Sequence, residues 1–171
     1  GDVYKRQSLE KVCGLVNCEV VFVDDCSKDE TFNQLADWCD KNENWQVFRL
    51  EENSGSAAAP RNFAIERARG EWIYFLDSDD VLEPRGVEDA LRTAKNYRYD
   101  AVRTSLRVRM GDGTERTGDL IPKWDGFRSP EDRIRAITRH QSLTCSFFMK
   151  RSILLENDIR FDENRRIGED I

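Results

Sequence analysis

Three acidic groupings carry the chemistry that this sequence can do. Asp24-Asp25 follows the apolar run Val20–Val23, Asp77-Ser78-Asp79-Asp80 follows Trp72–Leu76, and Glu169-Asp170 follows Gly168. Carboxylates crowded together repel, and their joint ionisation is unfavourable unless a cation arrives. Mg2+ and Mn2+ take hard oxygen ligands, commonly one or two carboxylates, and let substrate phosphates complete the shell. The first two clusters suit such an ion together with a phosphate-bearing ligand. Singly, each could equally cap the next helix or sit in a wet loop. Both at strand ends favour the ligand-binding reading, because open α/β sheets bind ligands beyond the carboxyl ends of their strands. Other catalytic sets are poorly supplied. The single histidine, His140, cannot form a histidine metal cluster, and no cysteine pair is spaced Cys-x-x-Cys.

Alternating elements position these acids. Leu9, Val12, Cys13 and Val16 fall on one face of a helix over Ser8–Val16. Glu19–Val23 reads as a strand buried on both faces. Phe32, Leu35, Ala36 and Cys39 give a helix over Thr31–Cys39, with Ser27 or Asp29 as cap. Gln46–Leu50 is a second strand, and Asn53–Ala59 a small polar loop. Pro60 opens a helix that Gly70 closes. Trp72–Leu76 is a third strand, and Pro84 starts a helix with Val87, Leu91 and Ala94 inward. From Ala101 the pattern changes. Val102, Thr104, Leu106, Val108 and Met110 alternate with polar residues, predicting one strand with a buried and a wet face. Gly111-Asp112-Gly113 is a hairpin tip. Ser129–Asp132 caps a helix to about Arg139, Thr144–Lys150 is a strand and Arg151–Glu156 a short helix. The pattern predicts an α/β sheet with helices on both faces, then antiparallel pieces.

Composition narrows the classes. The 171 residues suit one domain, and 39% are hydrophobic, enough for a sizeable core. Lys plus Arg number 27 against 33 Asp plus Glu, a net charge of −6, which argues against a nucleic-acid partner. The apolar runs are far short of the ~20 residues that span a bilayer. Five cysteines, an odd number without metal-site spacing, predict reduced thiols in a cytosolic setting. Arg92, Lys95, Arg98, Arg103, Arg107 and Arg109 form a basic cluster. It reads as a solvated face, with anionic lipid headgroups or a lipid-diphosphate as the alternative. At the start, Asp2–Gln7 can be encoded by GAT GTG TAT AAG AGA CAG, which resembles the end of a transposase-type sequencing adapter. Residues 1–7 are therefore set aside from the fold reading, and the chain is read as a fragment.

Acid-ended strands occur in several families. Asp77–Val81 fits the Asp-x-Asp-x-Val nucleophile pattern of haloacid-dehalogenase-type phosphatases, although Gly168-Glu169-Asp170 only half imitates their later acid pair. Val20–Asp25 fits a response-regulator receiver. Trp72–Asp77 has the shape of a Walker B strand, but Gly-x-x-x-x-Gly-Lys-Ser/Thr is missing. The order of motifs separates these readings. Val20–Thr31 resembles the "VDDGSxDxT" segment of family 2 glycosyltransferases. Asn53-Ser54-Gly55 with Ala59-Pro60-Arg61-Asn62 resembles their "NxG…aPRN". Gly70–Asp80 resembles "GeyIxFLDsDD", and Phe161-Asp162-Glu163 with Gly168-Glu169-Asp170 resembles "Fde…gED". These four motifs, in order, cover Glu19–Asp170, and the flavour is that of bacterial cell-surface polysaccharide enzymes.

The resemblance implies a GT-A fold, with 8–100 as the donor-binding half and 101–171 as a partial acceptor-side half of one domain. It implies inverting transfer from a nucleotide-sugar, a UDP-sugar first, to a glycan or lipid-linked acceptor. It implies a Mn2+ or Mg2+ cofactor and a cytoplasmic setting that allows peripheral contact with the inner membrane face. By motif position Asp25 matches the acid that contacts the base, with Asp24 supporting the strand-end loop. Asp77 matches the ribose-side acid, Asp79 the metal ligand and Asp170 the general base. Arg61 is a candidate for the diphosphate, or else a solvated first-turn helix residue. The sequence departs from the pattern at Cys26, where glycine is usual. The family's first strand, a central one with its "SxIIPxYN" loop, should precede Ser8 and is missing from these residues, as are helices after Ile171. A fragment of this kind is expected to be inactive by itself. The other readings kept open are the phosphatase and an inert nucleotide-binding module.

Overall fold

The computed structural model describes residues 2–118, 129, 131–132 and 146–164. The expected base Asp170 lies outside them, as do Cys145 and nearly all of the helix expected after Ser129. Ser129 itself does cap, its Oγ accepting from the Asp132 N–H at 3.1 Å.

The elements are α1 (Asp2–Leu15), β1 (Val20–Asp24), α2 (Thr31–Cys39), β2 (Trp45–Arg49), α3 (Ala58–Arg67) and β3 (Trp72–Tyr74). After them come α4 (Pro84–Tyr97), β4 (Ala101–Arg103), β5 (Leu106–Arg109), β6 (Glu115–Gly118), β7 (Phe147–Lys150) and α5 (Arg151–Glu156). β1 and β2 pair in parallel, Val20 opposite Trp45 and Asp24 opposite Arg49. β7 lies between β3 and β4, antiparallel to both. β5 and β6 form the expected hairpin.

Strand alternation divides the core between the two faces of β3 and β7. Ile73 and Phe75 pack with Ile65 of α3 and Leu154 of α5, joined by Met149 and Phe161. Trp72 and Tyr74 face the other way, with Phe148, toward Val12 of α1 and Val87 and Ala90 of α4. Both faces of this sheet are therefore covered, which is why its strands read as continuous apolar runs.

Two of the expected elements differ. The strand predicted over 101–110 breaks at Thr104-Ser105, and its halves join different sheets. Val108 and Met110 are 50% and 40% exposed rather than buried, because alternation supplies an apolar face without supplying a layer to cover it. Gly70 does not close α3. The helix ends at Arg67 with Ala68 extended, at φ −61° and ψ 142°. A Cβ at Gly70 would stand 3.3 Å from the Trp72 carbonyl oxygen, so close approach explains the glycine. Pro60 is the third residue of α3, where its missing N–H still costs nothing, since the first four helical N–H groups lack helical partners.

The expectation of unpaired thiols fails at Cys13 and Cys18. They form a disulfide, with Cα atoms 5.4 Å apart, while Cys26 and Cys39 are free. The turn from α1 into β1 brings the two within bonding range despite a spacing that matches no familiar motif. The inference of a reducing compartment from cysteine number loses its basis there. Residues 2–7, set aside in the sequence reading, continue α1 without a break.

No ladder joins β1 to β3 among the described residues. Between them runs a cleft of about 1770 Å³, lined by both strands and by α1, α3 and α4. That exceeds the ~300–1,000 Å³ of a ligand pocket, so it takes in the space between the two strand edges as well as a site. Glu19 bridges one end. Its Oε1 accepts from the N–H groups of Arg69 (2.5 Å) and Gly70 (2.8 Å), and its Oε2 from Arg69 Nε (3.0 Å). Burial raises its pKa, but the hydrogen bonds from Arg69 and Gly70 and the guanidinium charge outweigh burial and hold the carboxyl below its ordinary 4.5. A depressed folded pKa adds stability that is present above the unfolded value and lost as pH falls through the folded one. Glu19→Gln should therefore destabilise the chain at pH 7 and much less at pH 3, by urea denaturation. An equal loss at both pH values would separate Glu19 from the acid response.

Candidate active site

The carboxyl ends of β1 and β3 open on the same cleft, which Asp24, Asp25, Asp77 and Asp79 line together with Arg61. Asp24 is the last residue of β1 and is 4% exposed. Its Oδ2 accepts from the Ser27 N–H at 3.1 Å and pairs with Arg49 Nε at 3.3 Å. This buried carboxylate ties the end of β1 to the loop at Ser27 and to Arg49 of β2.

Asp25 is turned the other way. Its Oδ1 accepts from the Ser54 N–H (2.8 Å), its Oδ2 from Ser54 Oγ (3.0 Å), and its carbonyl from Asn53 Nδ2 (2.7 Å). The loop after β2 thus grips the loop after β1. Ser54 is a residue whose role sequence reasoning missed, although the Asn53-Ser54-Gly55 motif contained it. Gly55 supplies a φ of +76° there. Cys26 also adopts a left-handed φ, 57°. The backbone conformation that suits glycine is kept, at a cost of ~1–2 kcal/mol for an L-residue.

Asp77 follows β3 and is held from α3. Arg61 Nη2 donates to its Oδ1 at 3.0 Å, with the Arg61 side chain 14% exposed and that of Asp77 44%. The alternative of a solvated helix residue is thereby corrected, since Arg61 is turned inward onto the acid cluster. Lys5 Nζ donates to the Asp77 carbonyl, a contact missed because residues 1–7 were set aside. Asp79 is exposed, within a turn closed by Asp80 N–H to the Asp77 carbonyl at 3.1 Å.

Among the described residues no group of three or more His, Cys, Asp or Glu gathers to hold an ion unaided. Asp79, exposed at the cleft and with Asp77 already taken up by Arg61, fits the other type of site. It offers a hard carboxylate oxygen beside a cleft that can admit phosphates as the remaining ligands. In the basic cluster, Arg92 pairs with Asp89 at 2.6 Å, and Arg107 and Arg109 share Glu115 at 3.6 and 3.0 Å. Those three charges are paired locally, whereas Arg103 departs from a solvated face: it is partly buried, its guanidinium 5.4 Å over the Phe147 ring.

Fold and site together define an α/β domain of the GT-A class. A family model described as "Glycosyl transferase family 2" matches residues 5–157, and the chain belongs to that family. Among its relatives is the poly(ribitol-phosphate) beta-N-acetylglucosaminyltransferase TarS of Staphylococcus aureus, 30% identical over 154 residues, which are 89% of this chain and 25% of the relative. Another is the minor teichoic acid biosynthesis protein GgaB of Bacillus subtilis, 27% identical over 175 residues, 99% of this chain and 19% of that one. The chain thus spans about a quarter or less of these relatives. A crystal structure of S. aureus TarS 1-349 in complex with UDP superposes with a TM-score of 0.75 at 28% identity, covering 98% of this chain and 48% of the other. The complex with UDP-GlcNAc gives 0.72 at 29%, over 96% and 45%. Family membership displaces the phosphatase reading.

Proposed function

We propose that this chain forms the donor side of an inverting glycosyltransferase of cell-surface polysaccharide synthesis. It takes a sugar from a nucleotide-diphosphate sugar, a UDP-sugar first, and passes it to a hydroxyl of a glycan or lipid-linked acceptor. One observation carries the reading: the strand-end acids Asp25 and Asp77, each gripped by the Asn53–Asn62 segment, line one cleft. The relatives' names, and UDP and UDP-GlcNAc bound to TarS, support the choice of donor.

The residues divide the work. Asp25 receives the base and Asp77 the ribose side, each pre-set by its partner. Arg61, beside Asp77, offers a guanidinium to the diphosphate, a geometry that suits planar bidentate contacts. Asp79 would hold Mn2+ or Mg2+, whose charge offsets the negative charge that develops on the departing diphosphate. Asp170 takes the proton of the acceptor hydroxyl as it attacks the anomeric carbon. Attack opposite the leaving group inverts that carbon in one step. Among the described residues no helix is long and apolar enough to cross a membrane. The reading places the enzyme in the cytoplasm, meeting lipid-linked acceptors at the inner membrane face.

The test is a panel of nucleotide-sugars incubated with the full-length protein and Mn2+, read as nucleotide release with and without glycan acceptor. Acceptor-stimulated release from a UDP-sugar is expected. Phosphate release from a simple phosphomonoester, with no nucleotide consumed, would overturn the assignment. Tight donor binding without transfer would leave the inert module.

A further inference from the structure

Asn62 follows Arg61 on α3 and is 8% exposed. Its side chain is given wholly to one short segment far along the chain. Nδ2 donates to the Phe161 carbonyl (3.0 Å) and to Glu163 Oε1 (2.7 Å), and Oδ1 accepts from the Phe161 N–H (2.9 Å). One carboxamide thus satisfies both backbone groups of Phe161, as a neighbouring strand would. The Phe161 ring completes the joint. It meets Phe75 edge-on at 5.2 Å and lies under the Arg61 guanidinium at 5.3 Å. Arg61 in turn holds Asp77. Consecutive residues of one helix therefore take different partners: Arg61 the donor-side acid, Asn62 the segment that leads on to Asp170.

We propose that Asn62 is a positioning residue for sugar transfer. It clasps Phe161–Glu163 to the helix that orders the donor acids, so the chain leading to the base is set from the donor side. The inference rests on the glycosyltransferase reading above. Filling the core would not call for an amide, because burying one costs desolvation that leucine avoids. Asp170 lies seven positions after Glu163, within ~25 Å of chain. A displacement of 1 Å at a reacting group can cost ~100-fold in rate.

The test uses the full-length protein and two readouts. Asn62→Asp removes both donated bonds and sets a carboxylate against Glu163. Its kcat should fall ~10–100-fold, with the donor KM unchanged within about twofold. Adding Glu163→Gln makes residue 163 a donor toward the new carboxylate and restores one of the two lost bonds, so part of the lost kcat should return. A general loss of stability would not be repaired by reversing the polarity of one bond. Unchanged kcat in Asn62→Asp, no recovery in the pair, or a matching loss of donor affinity would each overturn the proposal. The second readout needs no activity: in Asn62→Leu the Phe161 amide should lose its protection from hydrogen exchange, and retained protection would overturn the clasp. If the wild type transfers no sugar while that amide does lose protection, the catalytic role falls with the glycosyltransferase reading and the clasp stands. The two failures are thereby told apart.

Discussion

Asp170→Asn in the full-length protein should transfer sugar at least ~100-fold more slowly, the usual scale for a lost general base. The substitution keeps the size and shape of the side chain and removes the basic lone pair. Donor affinity should barely change, because the proposed role is on the acceptor side and the proposed donor contacts are Asp25, Arg61, Asp77 and Asp79. Transfer rates at saturating UDP-sugar, beside donor calorimetry, read both halves of this expectation. A rate within a few-fold of wild type would remove Asp170 as the base. A parallel loss of rate and donor affinity would move it to the donor site.

Asp79→Ala should have the opposite signature. Donor binding in the presence of Mn2+ should weaken by at least ~100-fold. Changes to groups that merely support a metal ligand cost 10–100-fold in affinity, and a direct ligand should cost no less. The variant with Mn2+ should bind donor about as the wild type does with chelator, since each lacks the same bridge between protein and diphosphate. Titration calorimetry with UDP, with and without Mn2+, decides this. Undiminished metal dependence in Asp79→Ala would shift the ligand to Asp77 or Asp80. Asp77 already carries Arg61 at 3.0 Å, and for it to bind an ion that guanidinium would have to move.

Much of the frame was legible in the sequence because helices and buried strands write their periods into it. The helix over Thr31–Cys39 and the short helix Arg151–Glu156 stand at the residues expected. The acids at the ends of β1 and β3 were legible because their chemistry is local. Tertiary placement was not. Nothing in the alternation of 101–110 shows that it must break at Thr104-Ser105, because the break depends on which partner strand each half finds. The Cys13–Cys18 pairing depends on the path of one turn. The inward turn of Arg61 needed Asp77, sixteen residues away, to be brought beneath it. Asn62 was quoted as part of a motif, but its carboxamide acquires meaning only from a segment about a hundred residues later. Polar residues in first turns look alike in sequence, and what distinguishes them is the partner.

The gap between β1 and β3 bears on how these 171 residues behave in company. Among the described residues β1 is paired on one side by β2, and β3 on one side by β7, so there each leaves a row of backbone N–H and C=O groups facing the cleft. Such rows are templates for strand addition, and natural sheets guard them with lysine, proline, bulges or a covering layer. Here Val21, Val23 and Ile73 along them carry no charge, while the Glu19–Arg69 pair stands at one end and Asp24 at the other. Among the described residues these two edges are therefore where main-chain pairing with a further strand can be accepted.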